Sequence, residues 1–244
     1  MYKSINAWTF GPQTSIDEMA RISAEAGFEA IELVIDESGP LSFESPQEHC
    51  RTLAATVRQR GLRLASLASG VFWRCNFGSP DPATRRRARE LTLAGLDRAA
   101  WLGAEALLVV PAVVGRANAP QPTTGYADAL TRTCQALREL APAAEDRGVA
   151  IAVENVWNRF LLSPVEFREL IDRVNSPWVG VYFDVGNILT IGYPQDWIAT
   201  LAGRIVRIHV KDYKLPTDGP GSFCPLGDGH VDWSAVMAAL AQVG

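Results

Sequence analysis

Short apolar runs, rich in β-branched and aromatic residues, recur along the chain and are separated by longer stretches with helical periodicity. There are seven such runs: YKSINAWTF, FEAIELVI, LRLASLAS, ALLVVPAV, VAIAVEN, WVGVYFD and RIVRIHV. The intervening stretches are rich in Ala, Leu, Arg and Glu, which favour helix. Seven alternations of strand and helix predict βα units and a parallel sheet.

Capping residues mark the predicted helix boundaries. The S-x-x-E pattern of a capping box begins at Ser15, Ser45 and Ser163, and a proline suited to the first helical position follows the last two serines. A glycine suited to a left-handed helix end precedes five predicted strands: Gly27, Gly61, Gly103, Gly148 and Gly203. Because no linker or change of composition divides the chain, we expect one domain over residues 1–244.

Repeated units of about 30 residues fit a barrel better than a doubly wound sheet. No G-x-G-x-x-G follows the first predicted strand, so dinucleotide binding lacks support in the sequence. We therefore predict an α/β fold, a (β/α)₈ TIM barrel. In such a barrel the functional residues lie at the carboxyl ends of the strands.

Polar side chains collect at the ends of these predicted strands. Glu32 lies within the second run, Glu154 and Asp184 end the fifth and sixth, and the seventh carries His209 and Lys211. Residues i and i+2 of a strand share a face, and neighbouring strands lie about 4.8 Å apart. Glu154, Asp184 and His209 can therefore surround one divalent metal ion, and two carboxylates with an imidazole suit Mn²⁺, Co²⁺, Mg²⁺ or Zn²⁺.

Each of these residues also has a purely structural explanation. A single histidine on an apolar strand is usually a hydrogen-bonded core residue, and an aspartate at a strand end often caps the next helix. Asn187, three residues after Asp184, is equally suited to orienting a ligand and to closing a turn. The aromatics of SGVFWRCNFGSPDP, after the third run, can stack on a sugar or pack within their own loop. The long segment DYKLPTDGPGSFCPLGDGH, after the seventh run, fits a lid.

The segments ENVWN, YFDVGN, HVKDYK and GSFCPLGDGHVDW resemble the xylose-isomerase-like TIM-barrel superfamily of sugar isomerases and epimerases. Together with IELVIDE, they look most like L-ribulose-5-phosphate (L-xylulose-5-phosphate) 3-epimerases and hexulose-6-phosphate isomerases. The resemblance implies a metal-dependent epimerase or isomerase of a ketose or ketose phosphate. It also implies that Glu154, Asp184 and His209 hold the cation together with a second glutamate on an eighth strand, and that the two glutamates move a proton beside the carbonyl.

The last predicted helix, DWSAVMAALAQV, runs to Gly244, and no eighth strand follows it. We therefore expect that residues 1–244 stop short of the eighth strand, its glutamate and the last helix.

Arg74 and Lys211 are candidates for contacts with phosphate or sugar oxygens, and each can equally be a surface or supporting charge. Glu32 is suited either to accepting a substrate hydroxyl or to supporting the metal ligands from behind.

Three other functions share this pattern. Inosose dehydration and elimination from a keto-glycoside need the same proton abstraction, and a non-catalytic sugar-binding barrel would keep the same mouth. Endonuclease IV, a DNA-repair relative with several metals and a basic surface, is disfavoured by three histidines and a net charge of −4. A homodimer or homotetramer is expected from the family by analogy.

Composition adds few constraints. The mild acidity argues against a nucleic-acid partner, and the basic run RRRAR at 85–89 suits a solvated helix face more than an anion site. Four cysteines without a C-x-x-C pair are typical of reduced thiols in a cytoplasmic protein. No apolar run approaches the length of about 18 residues that crosses a bilayer, so no membrane partner is expected.

Overall fold

The fold was analysed in a computed structural model that describes residues 1–116, 119–216 and 220–243. The predicted alternation of strands and helices is confirmed. The strands are β1 (Ser4–Asn6), β2 (Ala30–Val34), β3 (Arg63–Ala68), β4 (Ala106–Val109), β5 (Ala150–Glu154), β6 (Val179–Asp184), β7 (Ile205–His209), β8 (Asp212–Lys214) and β9 (Ser222–Cys224). The helices are α1 (Ile16–Glu25), α2 (Gln47–Gln59), α3 (Pro82–Leu102), α4 (Tyr126–Arg147), α5 (Pro164–Val174), α6 (Pro194–Leu201) and α7 (Trp233–Val243).

Strands β1 to β7 form one parallel sheet in which each strand pairs with its neighbours in chain order. This order, with a helix after each strand, is that of a TIM barrel. Within the residues that the structure describes, β1 and β7 are the sheet's two edges. Strands β8 and β9 form a separate antiparallel hairpin in the predicted lid, of which residues 217–219 lie outside the described part.

Alternation along the strands separates two layers of core. Leu107 and Val109 of β4 face the helices and join the large outer core, whereas Leu108 faces the barrel interior. The inner layer is small and consists mostly of short side chains: Ala68, Ala106, Leu108, Ala152 and Tyr182. Short side chains leave room in the interior for polar groups that project from the same faces.

Two capping predictions are confirmed and one is wrong. The hydroxyls of Ser15 and Ser163 each accept the backbone N–H three residues later, at 3.2 Å. Ser45 does not cap α2, because its hydroxyl accepts the backbone N–H of Ser42 at 2.9 Å and Pro46 occupies the capping position. The proline therefore precedes the first helical residue instead of occupying it.

Two local features differ from the sequence-based expectations. The first strand is confined to Ser4–Asn6, because Ala7–Thr9 turn into a short 3₁₀ helix. At the end of α6, the left-handed backbone falls on Ala202 (φ 40°) instead of Gly203, which lies within a 3₁₀ turn. Among the described residues, no helix combines the length and the apolar composition that are needed to span a membrane.

Candidate metal centre

The three predicted metal ligands are the last residues of three consecutive strands. Glu154 ends β5, Asp184 ends β6 and His209 ends β7. One ligand atom from each lies within 4.8 Å of those from the other two. Asp184 pairs directly with His209 in the sheet, but Glu154 pairs with Tyr182, so Glu154 does not lie level with the other two residues. The side chains still converge, because strands in a barrel are tilted and staggered.

Asp184 carries a carboxylate oxygen that fits a cation ligand. The residue is fully buried, and its Oδ1 accepts the backbone N–H of Asn187 at 2.9 Å. Its Oδ2 makes no well-aligned hydrogen bond within the described structure, although the ammonium of Lys211 lies 2.7 Å away. The Lys211 ammonium already offsets the burial cost of this oxygen, and a divalent cation coordinated by Oδ2 would take over that role.

The Asn155 side chain fixes the backbone of Asp184. Its amide nitrogen donates to the carbonyl oxygen of Asp184, and its oxygen accepts the N–H of Asp184, both at 2.8 Å. The Asn155 side-chain amide thus makes the pair of hydrogen bonds that a backbone peptide group would make if the pairing continued one residue beyond the end of β5. Sequence reasoning gave Asn155 no role, although an amide directly after a strand-ending glutamate is a visible signal.

Asn187 closes the turn after β6. Its side-chain amide donates to the carbonyl oxygen of Asn155 at 2.9 Å, and its own carbonyl accepts the indole N–H of Trp157 at 2.9 Å. These contacts favour the turn-closing interpretation over ligand binding. Its role toward a substrate stays a prediction.

His209 lies between two carboxylates. Its Nδ1 is 2.8 Å from Glu154 Oε1 and 4.0 Å from Asp184 Oδ2, whereas its Nε2 is 2.8 Å from Glu32 Oε2. Burial alone would lower the pKa of His209, but Glu32 and Glu154 outweigh burial and raise that pKa to about 10. The metal-free imidazole is therefore protonated at neutral pH, and its Nδ1 faces the predicted ligands.

The cluster combines three buried carboxylates with two cations. Burial, together with the charge of Asp184, raises the pKa of Glu154. Burial would lower the pKa of Lys211, yet Asp184 and Glu154 outweigh it and raise that pKa. Two carboxylates and one imidazole form a donor set that suits Mn²⁺, Co²⁺, Mg²⁺ or Zn²⁺. A divalent cation would also supply the positive charge that is lost when the imidazole gives up its Nδ1 proton.

Three aromatic side chains pack together next to Lys211. Trp157 stacks on Phe223 with ring centres 5.1 Å apart, and Tyr213 meets both rings edge-on. The ammonium of Lys211 lies 5.7 Å from the centre of the Phe223 ring. Trp157 and Phe223 remain 37% and 48% exposed, so they offer an apolar surface to a ligand.

The loop after β3 contributes fewer side chains to the candidate site than the sequence suggested. Phe72 is fully buried, which agrees with loop packing, and Trp73 lies under the guanidinium of Arg116. Arg74 forms an exposed ion pair with Glu37 at 2.9 Å, and the described contacts do not join it to the cluster. Its role in substrate binding stays a prediction.

Known proteins resemble this chain in sequence and in fold. Residues 20–244 match the family described as "Xylose isomerase-like TIM barrel". An Escherichia coli (strain K12) protein named "Putative L-ribulose-5-phosphate 3-epimerase SgbU" is 28% identical over 232 residues, which are 91% of this chain and 78% of that protein. The "2-epi-5-epi-valiolone 7-phosphate 2-epimerase" of Actinoplanes sp. (strain ATCC 31044 / CBS 674.73 / SE50/110) is 28% identical over 229 residues, which are 93% and 78% of the two chains.

A solved structure shares the fold. The crystal structure of D-psicose 3-epimerase in the presence of D-fructose superposes with a TM-score of 0.82 at 18% identity. The superposition covers 100% of this chain and 81% of that chain. The TIM-barrel fold predicted from the sequence is thereby confirmed.

Proposed function

The chain belongs to the xylose isomerase-like TIM barrel family, and on this premise we propose that it is a divalent-metal-dependent epimerase or isomerase of ketose sugars. Within that class we favour a 3-epimerase that acts on a ketose or its phosphate. The observation that carries the proposal is the convergence of Glu154, Asp184 and His209 within 4.8 Å. The relatives named as epimerases support the same class of reaction.

Glu154, Asp184 and His209 would hold one divalent cation, with Mn²⁺ the first candidate. When bound, such a cation polarises the carbonyl and a neighbouring hydroxyl of a ketose and so acidifies the carbon beside the carbonyl. The buried Oδ2 of Asp184, which already faces the ammonium of Lys211 at 2.7 Å, and the Nδ1 face of His209 support this assignment.

Glu154 is the proposed catalytic base. Its carboxylate would take the proton from the carbon beside the carbonyl, and the electron pair of the broken C–H bond would move to the carbonyl oxygen, giving an enediolate. Burial raises the pKa of Glu154, which makes its carboxylate a stronger base. Inversion requires that a proton reach the same carbon from the opposite face, which is the role that the resemblance gives to the second glutamate on the eighth strand, whereas protonation of the former carbonyl carbon isomerises the sugar.

Lys211 is the proposed contact for substrate oxygens. Its side chain is 44% exposed, and its ammonium lies between the buried Asp184 and the aromatic face of Phe223. A sugar that stacks on Trp157 and Phe223 would bring its oxygens to this ammonium. Arg74 is retained as the candidate for a terminal phosphate, which requires that it leave Glu37.

The test begins with metal removal. The full-length protein is treated with EDTA, dialysed, and assayed by ¹H NMR on L-ribulose 5-phosphate, L-xylulose 5-phosphate and the matching free ketoses. We expect no turnover without metal and recovery with Mn²⁺ or Co²⁺. Equal turnover by the metal-free protein would refute the scheme.

The NMR products also separate the other functions. Dehydration or elimination would produce an unsaturated or shortened product instead of an epimer. A sugar-binding barrel without activity would perturb the sugar resonances and leave the sugar unchanged after long incubation with Mn²⁺.

A further inference from the structure

We infer that Glu32 is a positioning residue that holds the far side of the His209 ring, so that Nδ1 faces the cation between Glu154 and Asp184. This inference rests on the proposed metal-dependent function. Glu32 Oε2 lies 2.8 Å from Nε2 of His209, on the side of the ring opposite to Glu154. A carboxylate that accepts the second N–H of a metal-binding histidine fixes the orientation of the ring and strengthens the ligand.

The surroundings of Glu32 favour an ionised carboxylate. Ser66 and Tyr182 each donate a hydroxyl to Oε1 at 2.8 Å, and Asn6 donates its amide to Oε2 beside His209. Four donors therefore occupy the four lone-pair positions of one carboxylate.

The orientation of the donors is itself fixed. The side-chain oxygen of Asn6 accepts the backbone N–H of Trp8 at 2.6 Å, so the amide nitrogen of Asn6 must point at Glu32. The rings of Tyr182 and His209 lie in contact, with centres 4.2 Å apart. Glu32 is thus held from β1, β3 and β6, and it transmits that rigidity to His209 on β7.

With all four lone pairs engaged, Glu32 is poorly suited to accepting a substrate hydroxyl. The side chain is also almost completely buried. Of the two roles that the sequence allowed, these contacts favour support of the metal ligand from behind.

Two substitutions at Glu32 and one matched control test the inference. In Glu32→Gln, we expect the side-chain amide to place its carbonyl oxygen toward the donors Asn6 and His209. Its NH₂ group then faces the hydroxyls of Ser66 and Tyr182, which can rotate to accept hydrogen bonds. This variant keeps an acceptor for His209 but loses the charge. Glu32→Leu removes both. Ser66→Ala removes one donor to the same carboxylate and leaves the contact with His209 intact.

The readouts are the Mn²⁺ dissociation constant by isothermal titration calorimetry and the imidazole nitrogen signal in pulsed EPR of bound Mn²⁺. We expect Glu32→Leu to weaken Mn²⁺ binding about 10- to 100-fold and to diminish the nitrogen signal. Glu32→Gln should give a smaller loss of affinity, and Ser66→Ala should bind Mn²⁺ like wild type. If Glu32→Leu does not fold, as judged by circular dichroism, the comparison of Glu32→Gln with Ser66→Ala decides.

The opposing outcomes are distinct. Wild-type affinity and an unchanged nitrogen signal in the folded Glu32 variants would overturn the positioning role. So would an equally large loss of affinity in Ser66→Ala, because it would point to general loosening of the interior. Wild-type protein that binds no Mn²⁺, Co²⁺, Mg²⁺ or Zn²⁺ would instead overturn the proposed function itself.

Discussion

Replacing Asp212 by asparagine should destabilise the loop that follows the barrel's seventh strand. Asp212 is buried, and its carboxylate accepts five hydrogen bonds from the segment that it organises. Oδ1 accepts the backbone N–H groups of Tyr213 at 2.9 Å and Val231 at 3.2 Å. Oδ2 accepts those of Gly227 at 2.9 Å and Gly229 at 3.2 Å, together with the Trp233 indole N–H at 3.0 Å.

The magnitude follows from these bonds. An asparagine of the same shape must place its NH₂ group at one of the two oxygen positions. The better choice is the Oδ1 position, which leaves two donors unpaired instead of three. Each buried donor without a partner costs about 1–3 kcal/mol, so the loss should be about 4 kcal/mol. For a chain of this size, that corresponds to a fall in Tm of about 8–16 °C.

The assay is thermal unfolding of wild type, Asp212→Asn and the control Asp228→Asn at pH 7. Asp228 lies in the same loop and is exposed, so its replacement should leave Tm unchanged. A fall for Asp212→Asn that does not exceed that of the control would refute the reasoning. The same variant should also raise KM for a ketose, because the loop carries Tyr213 and Phe223 to the aromatic cluster.

The pH dependence of this difference provides a second check. Burial would raise the pKa of Asp212, but the hydrogen bonds from Trp233 and the backbone outweigh burial and lower it. A carboxyl whose pKa is lowered on folding contributes stability that is fully present above its unfolded pKa of about 3.9. The Tm difference between wild type and Asp212→Asn should therefore stay constant from pH 8 to pH 5. It should shrink as the pH falls through the lowered pKa, and a difference that grows in acid would contradict the assignment.

Three further substitutions test the candidate site. Glu154→Gln should lower kcat for ketose epimerisation about 10²- to 10⁴-fold while far-UV circular dichroism stays unchanged, and a variant with wild-type kcat would exclude Glu154 as the base. His209→Ala should weaken Mn²⁺ binding in calorimetry more than Asn187→Ala does, and equal affinities would argue against His209 as a ligand. Arg74→Ala should raise KM for a ketose phosphate more than for the free ketose, and equal effects on both would reject the phosphate contact.

Strand ends were the most predictable part of the site. Glu154, Asp184 and His209 each close an apolar run, and parallel strands in chain order bring such ends to one edge. The stagger between β5 and β6 was not predictable from the sequence. In the structure, Glu154 pairs with Tyr182 and not with Asp184. Register between parallel strands depends on how the helices between them pack, which the apolar pattern of each strand does not encode.

The contacts of Glu32 show a different limit. Its partners Tyr182 and His209 lie 150 and 177 residues further along the chain, on strands that face it across the barrel interior. Periodicity identifies the face on which a side chain lies, but it does not identify what faces it from the other side of a barrel. Tyr182 shares a strand face with Asp184, and that spacing of two residues was the available signal.

The capping signal failed at Ser45, where the hydroxyl takes part in a competing local hydrogen bond. The pattern around Ser45 has the composition of a capping box, yet the Ser45 hydroxyl is engaged by the N–H of Ser42 in the preceding turn. Serine hydroxyls often bond to nearby backbone groups outside helices, so one pattern fits two structures. At Ser15 and Ser163 the structure shows the predicted cap, with the hydroxyl accepting the third following N–H.

These successes and failures separate two kinds of functional group. The proposed cation ligands are carried by strand ends whose backbones are fixed, as Asp184 is by the Asn155 amide, and their convergence follows from the fold alone. Lys211 and Phe223 belong to the segment after β7, whose shape depends on the hydrogen bonds of Asp212. Relatives that keep the strand ends but alter this segment should therefore retain metal binding while changing the sugar on which they act.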